Sequence, residues 1–304
     1  MTQTAEPVAI VGAGAIGMAL GAALFRAGHP VTVCGGTPVQ TFEVTEDGRT
    51  ESIPVTHTTE PAEIKEHRLV VLAVKAHQTE AVAGWIRACA DPGTALFVAQ
   101  NGIEHRDRVE PYRGDSAVVP AGVYINGDRP RPGVVTLRRP SVDADLVIPD
   151  DAPALRFKDR FEAGGLRVRA DPDFVTVAWQ KLLTNLVTNP ITALTLRRIE
   201  VLREPGIGAF ATRLLEEAAE VGRAAGAVIA SDQPGRTVTW LQHFPDGATT
   251  SMLQDRVAGR PLEHDAITGA VLRAAYRHDI AVPQLRSLHA LVDALDGNRA
   301  SGPT

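Results

Sequence analysis

The sequence predicts a two-domain α/β protein: an N-terminal Rossmann-type, doubly wound sheet with antiparallel additions, followed by an all-helical C-terminal domain. Three observations predict it. Short apolar runs alternate with helical stretches through the first hundred residues, a glycine-rich turn joins the first run to the first helix, and from Asp173 onward the apolar spacing is helical almost throughout. With 304 residues and 44% hydrophobic side chains, the chain can bury a core in each of two domains.

"PVAIVGAGAIGMALGAALFRAGH" reads as a buried strand over residues 8–11, the glycine-rich turn, and a helix that stops at Gly28. "PVTVC" is the second strand. "LVVLAV" (69–74) and "TALFVAQ" (94–100) are further strands, with a helical stretch over 76–90 between them. Their lack of polar alternation means burial on both faces, as in a parallel sheet covered by helices. From about residue 116, "SAVVPAGVYI", "GVVTLRR" and "ADLVIP" follow closely with Pro/Gly turns, which predicts antiparallel additions to the sheet. A helix over 152–163 and the strand "LRVRA" complete this half. Helices are then expected over 173–198, 205–228, 233–243, 263–279 and 284–294. The domains are therefore placed at 1–172 and 173–296, with the small, polar tail 297–304 expected to be disordered.

Composition narrows the function. A net charge of -5 without a dense Lys/Arg run argues against a nucleic-acid partner and toward a small molecule. "MTQTAEP" lacks the cationic and apolar regions of a secretory signal, and no apolar run approaches the ~20 residues that span a bilayer. No membrane partner is expected, and the expected location is the cytoplasm. Cys34 and Cys89 are expected to be buried thiols, and the nine histidines show no metal-ligand spacing, so no metal site is expected.

Gly12, Ala13, Gly14, Ala15, Ile16 and Gly17 spell GxGxxG between a strand and a helix. The first glycine permits the turn, the second lets a pyrophosphate approach the backbone, and the third lets helix and strand pack closely, with the phosphates at the helix N-terminus. A dinucleotide is the expected cofactor. At the tip of the second strand, "CGGTP", no acidic residue occurs between Gly28 and Gln40, which favours NADPH because nothing would repel a 2'-phosphate. No arginine follows the strand, so Thr37 with the amides of Gly35 and Gly36 is the candidate anion nest. Lys75 and Gln78 in "VKAHQ", and Asn101 in "AQNG", lie just beyond strand ends, where open parallel sheets bind ligands. "QNG" is also a strong turn signal, and turn and function are compatible.

In "WQKLLTNLVTNP" (179–190), Lys181, Asn185 and Asn189 recur every four residues. Each step turns only about 40° around a helix, so a cation and two amides line one face. A solvated face would be the ordinary explanation, yet asparagine is a poor helix former that solvated faces seldom favour. Farther on, Ser251, Gln254, Asp255 and Glu263 cluster ahead of and inside a helix, where capping is the alternative role.

Taken in order, "GAGAIG", "VKAHQ", "QNG", "WQKLLTNLVTNP" and "SMLQDRVAGRPLEHD" give a chain that resembles the ketopantoate reductase (2-dehydropantoate 2-reductase) family along nearly its whole length. The resemblance implies NADPH-dependent reduction of the 2-oxo acid ketopantoate to (R)-pantoate, in the pantothenate branch that supplies coenzyme A. It implies Lys181 as proton donor, with Asn185, Asn189 and Ser251 holding substrate. Glu263 would shape the lysine's surroundings and meet the cofactor, and Lys75 and Asn101 would line the nicotinamide side. Two departures are visible: the arginine that many members carry near "CGGTP" is absent, and a polar residue that some place past the Asn-Pro corner is not evident in "ITALTLRRIE". A reductase of another 2-oxo acid or imine, and a nucleotide-sensing protein without catalysis, are the alternatives. The sequence leaves the oligomeric state open, with a homodimer through the helical half as the assembly to test.

Ketone reduction by hydride generates an alkoxide, which calls for a proton and a positive charge at that oxygen. A lysine of ordinary pKa, roughly 10.4, is cationic at neutral pH, and a nearby Glu263 would favour that form. Lys181 is thus expected to act as the acid without an unusual shift.

Overall fold

The computed structural model describes residues 5–141 and 143–297, so the tail expected over 297–304 lies, after Gly297, outside the described residues. Tertiary contacts divide the chain into two units. One runs to Gln100 and resumes from Glu104 to Phe174; the other takes Asn101–Ile103 and continues from Val175.

In the first unit, the central sheet is built from β1 (Val8–Val11), α1 (Ala15–Arg26) and β2 (Val31–Cys34), with the strands running parallel in register. A hairpin follows, β3 (Thr41–Glu46) and β4 (Arg49–Pro54), and then β5 (Thr56–Thr58) and β6 (Leu69–Leu72). α2 (Ala83–Ala88) leads to β7 (Ala95–Val98), and α3 (His105–Val109) to β8 (Ala117–Pro120). The six strands lie in the order β5-β2-β1-β6-β7-β8, every neighbour parallel. Alternate residues of each strand enter opposite cores. Val8, Ile10, Leu69, Val71 and Phe97 pack on one face with α1, whereas Ala9, Val11, Val70, Leu72 and Val98 pack on the other with Ile64, Trp85 and Ile86. Burial on both faces is why these strands read as unbroken apolar runs.

Antiparallel additions occur as expected, but they do not extend the main sheet. β8, from "SAVVPAGVYI", is the parallel edge of the main sheet. The remaining strands, β9 (Gly122–Val123), β10 (Asn126–Arg131), β11 (Val134–Arg138) and β12 (Leu146–Pro149), precede α4 (Ala152–Ala163) and β13 (Val168–Asp171). They form two separate sheets, β10-β11-β3-β4 and β13-β12-β9. Pairing with the distant β3 and β13 decides their placement, and local patterning carries no record of such partners. The β3-β4 hairpin is likewise unannounced by its hydrophobic pattern. Its turn is signalled by Asp47 and Gly48, whose φ values of 48° and 75° suit a type I′ hairpin. Asp145, fully buried beside β12, is paired by Arg167 at 2.7 Å and Arg139 at 3.3 Å. These guanidiniums outweigh desolvation and hold its carboxyl below the usual range.

The helix expected over 76–90 is shorter and broken. Two 3-10 turns, Ala76–Gln78 and Glu80–Val82, precede α2, and the Thr79 hydroxyl donates to Ala76 O at 2.8 Å, a local bond that competes with regular helix.

The second unit is helical: α5 (Phe174–Thr195), α6 (Pro205–Ala224), α7 (Gln233–Gln242), α8 (Ser251–Val257), α9 (Ala270–Arg277) and α10 (Pro283–Gly297). A π-helical turn, Asp265–Gly269, leads into α9. α5 runs through Pro190, as the helix expected over 173–198 requires, and ends where Leu196 adopts φ 55°. Its apolar faces, with Leu182, Leu186 and Val187, share one core with Leu214, Leu215, Val271 and Leu285. Among the described residues no helix is long and apolar enough to cross a membrane.

Close packing within the first unit can be tested at α4. A Cβ added to Gly164 would stand 1.9 Å from Ala23 O of α1, whereas one at Gly165 would meet nothing within 4 Å. Gly164→Ala should therefore cost about 2–4 kcal/mol by denaturant unfolding. Gly165→Ala, strained only by its φ of 87°, should cost about 1 kcal/mol. Equal losses would contradict the packing argument.

Candidate functional site

The glycine-rich turn lies where the sheet order reverses, between β1 and β6. Each glycine meets a different demand. Gly12 adopts φ 106°, and a side chain there would come within 2.6 Å of Val74 N; a Cβ on Gly17 would meet Gly12 O at 1.9 Å. The fold itself thus requires both. Gly14 has an ordinary φ of -74°, and its Cβ would meet only Ala73 O, at 4.0 Å. No protein packing explains this glycine. α1 also begins without a side-chain cap or an acidic residue in its first turn, so the amides around Ala13, Ala15 and Ile16 suit an external anion. These residues fit the pyrophosphate of a dinucleotide.

At the tip of β2, Gly35 and Gly36 have φ of 68° and 70°. The Gly35 amide, expected in the anion nest, instead donates to Thr58 O at 2.9 Å, because pairing with β5 continues one residue beyond Cys34. Only the exposed Gly36 amide and Thr37 hydroxyl remain of that nest. His57 holds the tip through Nε2 and Gly35 O at 3.1 Å, and with a carbonyl as partner the ring nitrogen is the donor. No sequence motif pointed to it.

Lys75 stands just past β6. The Gln78 side chain accepts from the Lys75 amide at 3.2 Å and so shapes this loop. Gln100, also unforeseen, is buried and satisfied: it donates to Val74 O at 3.0 Å and Thr79 Oγ1 at 2.9 Å, and accepts from Arg108 at 3.1 Å.

In the second unit, Lys181, Asn101 and Glu263 form one chain of hydrogen bonds. Lys181 Nζ donates to Asn101 Oδ1 at 3.2 Å, and Asn101 Nδ2 donates to Glu263 Oε2 at 3.1 Å. Only this orientation of the amide offers an acceptor to the ammonium and a donor to the carboxylate. Burial pushes the Lys181 pKa down to about 8, against the opposing pull of the Glu263 charge. The expectation of an unshifted lysine is thereby corrected: Glu263 acts in the expected direction, but desolvation is the larger effect.

Asn185 and Asn189 follow Lys181 along α5. Asn189 is only 4% exposed, yet neither side-chain amide makes a hydrogen bond among the described residues. The threonines of the same helix behave otherwise, with Thr188 and Thr192 donating to carbonyls one turn back at 2.9 and 2.7 Å. Buried amides are ordinarily paired, so the unpaired Asn189, with the partly buried Asn185 one turn before it, suits a polar ligand.

Capping at α8 is the work of Thr250, whose hydroxyl accepts from Leu253 N at 3.1 Å. A threonine just before a helix is the signal that could have found it. Ser251, the first residue of the helix, is exposed. Asp255 is structural, accepting from Arg260 Nε at 2.9 Å.

Known proteins supply an independent comparison. Residues 8–148 match the family described as "Ketopantoate reductase PanE/ApbA", and residues 173–296 its C-terminal part. A 2-dehydropantoate 2-reductase of Mycobacterium tuberculosis is 36% identical over 281 residues, covering 92% of this chain and 94% of its own. The solved structure of a dimeric ketopantoate reductase from Staphylococcus aureus is 29% identical, with a TM-score of 0.84 over 96% of this chain and 99% of that one. A D-mandelate dehydrogenase solved with NADH and anilino(oxo)acetate has a TM-score of 0.84 at 20% identity, over 97% and 99% of the two chains, a likeness of fold alone.

Glu263→Gln should lower the Lys181 pKa below about 8, since it removes the charge that opposes desolvation. The pH dependence of Lys181 acylation, followed by peptide mass spectrometry, reads this directly. An unmoved midpoint would separate the carboxylate from the lysine.

Proposed function

This chain belongs to the ketopantoate reductase family, and from that premise we propose that it reduces ketopantoate to (R)-pantoate with NADPH, toward pantothenate and coenzyme A. The observation that carries the reading is the Lys181-Asn101-Glu263 chain on the unit that also presents the unpaired amides of Asn185 and Asn189. NADPH supplies the hydride.

The protein's own groups do the rest. With a pKa of about 8, Lys181 is protonated in roughly nine of ten molecules at pH 7. Its Nζ gives a proton to the ketone oxygen as negative charge develops there. Asn101 Oδ1 aims the ammonium, and Glu263 sustains its charge while its contact with Asn101 fixes that amide. Asn185 and Asn189, each with donors and acceptors, suit the carboxylate and hydroxyl of the substrate, with Ser251 as a further contact. The unexplained Gly14 and the uncapped start of α1 support pyrophosphate binding. Lys75 and Asn101 are assigned to the nicotinamide side. The choice of NADPH rests on the lack of an acid between Gly28 and Gln40, with Gly36 and Thr37 receiving the 2'-phosphate. A homodimer is part of the same reading, supported by the dimeric S. aureus relative, as is a cytoplasmic location, where NADPH is supplied.

Purified protein should oxidise NADPH with ketopantoate far faster than with pyruvate or 2-oxoisovalerate, and faster than NADH with ketopantoate. Turnover of another acid alone would replace the substrate, and NADPH binding without any turnover would leave a sensor. Lys181→Ala should cut turnover by roughly two to four decades; near-normal turnover would eliminate it as the acid. In the wild type, kcat/KM for reduction should fall about tenfold per pH unit above the lysine's pKa of about 8, as the proton is lost. A profile flat to pH 10 would mean that another group donates.

A further inference from the structure

A pair of buried threonine hydroxyls joins the helix that carries the amide line to the helix that begins at Ser251. Thr192 is fully buried and Thr250 is 7% exposed, and their Oγ1 atoms are 2.7 Å apart. Proton accounting gives this contact a direction. The Thr250 oxygen already accepts from Leu253 N at 3.1 Å, which leaves its single proton for Thr192. The Thr192 proton is committed to Thr188 O at 2.7 Å, with Asn189 O at 3.2 Å as a second acceptor. The order is therefore Leu253 N–H to Thr250, Thr250 to Thr192, and Thr192 to the α5 backbone. Each hydroxyl donates once and accepts at least once, the fully satisfied arrangement that burial demands.

We propose that Thr192 and Thr250 are positioning residues for substrate binding: their hydroxyl relay fixes Ser251 relative to Asn189. The chain connections are short. Thr250 immediately precedes Ser251, and Thr192 stands three residues beyond Asn189 and touches its carbonyl. α5 has particular need of such a tie. Pro190 inside the helix offers no N–H to Leu186 O, so the backbone beside Asn189 lacks one of its own bonds. Neither threonine contacts substrate in this account; both act through their neighbours. The proposal rests on the assignment of Asn189 and Ser251 to the substrate in the preceding section.

Thr192→Val keeps the shape and removes the hydroxyl, and Thr192→Ala is made beside it in case the valine variant does not fold. Each should raise KM for ketopantoate about tenfold or more, with a smaller fall in kcat, because a loosened contact set weakens substrate holding before it affects the acid. The dissociation constant for NADPH, by fluorescence titration, should stay within twofold. Thr192→Ser, which retains the relay, should restore KM to within about threefold of wild type. Thr237→Val is the control, since Thr237 is buried in α7 and bonded at 3.2 Å only to Gln233 among the described residues. It should lower the melting temperature without moving KM.

A KM within twofold of wild type in a folded Thr192→Val or Thr192→Ala protein would overturn the proposal. So would a rise in KM that Thr192→Ser fails to reverse, or one that Thr237→Val reproduces. Failure of the underlying reading looks different, because the wild type itself would then not turn over ketopantoate.

Discussion

An ammonium withdrawn from water must be compensated, and the chemistry assigned to this protein depends on how Lys181 meets that constraint. Desolvation alone favours the neutral amine, which cannot protonate anything. The Glu263 charge restores part of the lost stability of the cation, and the balance falls at about 8. The lysine is thereby still charged at neutral pH, yet a weaker base once it has given up its proton than an exposed lysine would be. Asn101 turns this charge balance into geometry, since its amide can satisfy ammonium and carboxylate together in only one orientation.

Polar groups of the helical unit divide by whether the protein answers them. Thr188, Thr192, Thr250 and Asp255 all find partners in the chain, and each is explained by the fold. Asn185 and Asn189 do not, although Asn189 is nearly closed off. The glycine-rich turn shows the same division: Gly12 and Gly17 answer to crowding and backbone, and Gly14 to neither. Gly14, Asn185 and Asn189 are thus the residues for which the proposed ligands supply the explanation.

Much of this was legible in the sequence because it is local. Four of the six parallel strands, β1, β2, β6 and β7, are short and largely apolar, and the four-residue recurrence of Lys181, Asn185 and Asn189 places them on one helical face however that helix docks. The helix expected over 173–198 carries Pro190 inside it, since a proline flanked by packed neighbours can be accommodated at the loss of one hydrogen bond. The antiparallel additions are present, β10 with β11 and β9 with β12, but where they attach was not legible. β8 joins the parallel sheet, while β11 pairs with β3, about ninety residues earlier in the chain.

By itself, then, the sequence determined the two classes of structure, the glycine turn, and which polar groups share a helix, because periodicity and turn chemistry act over a few residues. Tertiary structure decided what those groups meet. Asn101 lies eighty positions from Lys181 and still farther from Glu263, the Gly35 amide is claimed by Thr58, and Thr192 finds Thr250 across the helical core. Hydrogen-bond partners and desolvation are set by distance in space, which a linear pattern does not encode. That is why Lys181 could be proposed as the acid from the chain alone while its pKa of about 8 could not.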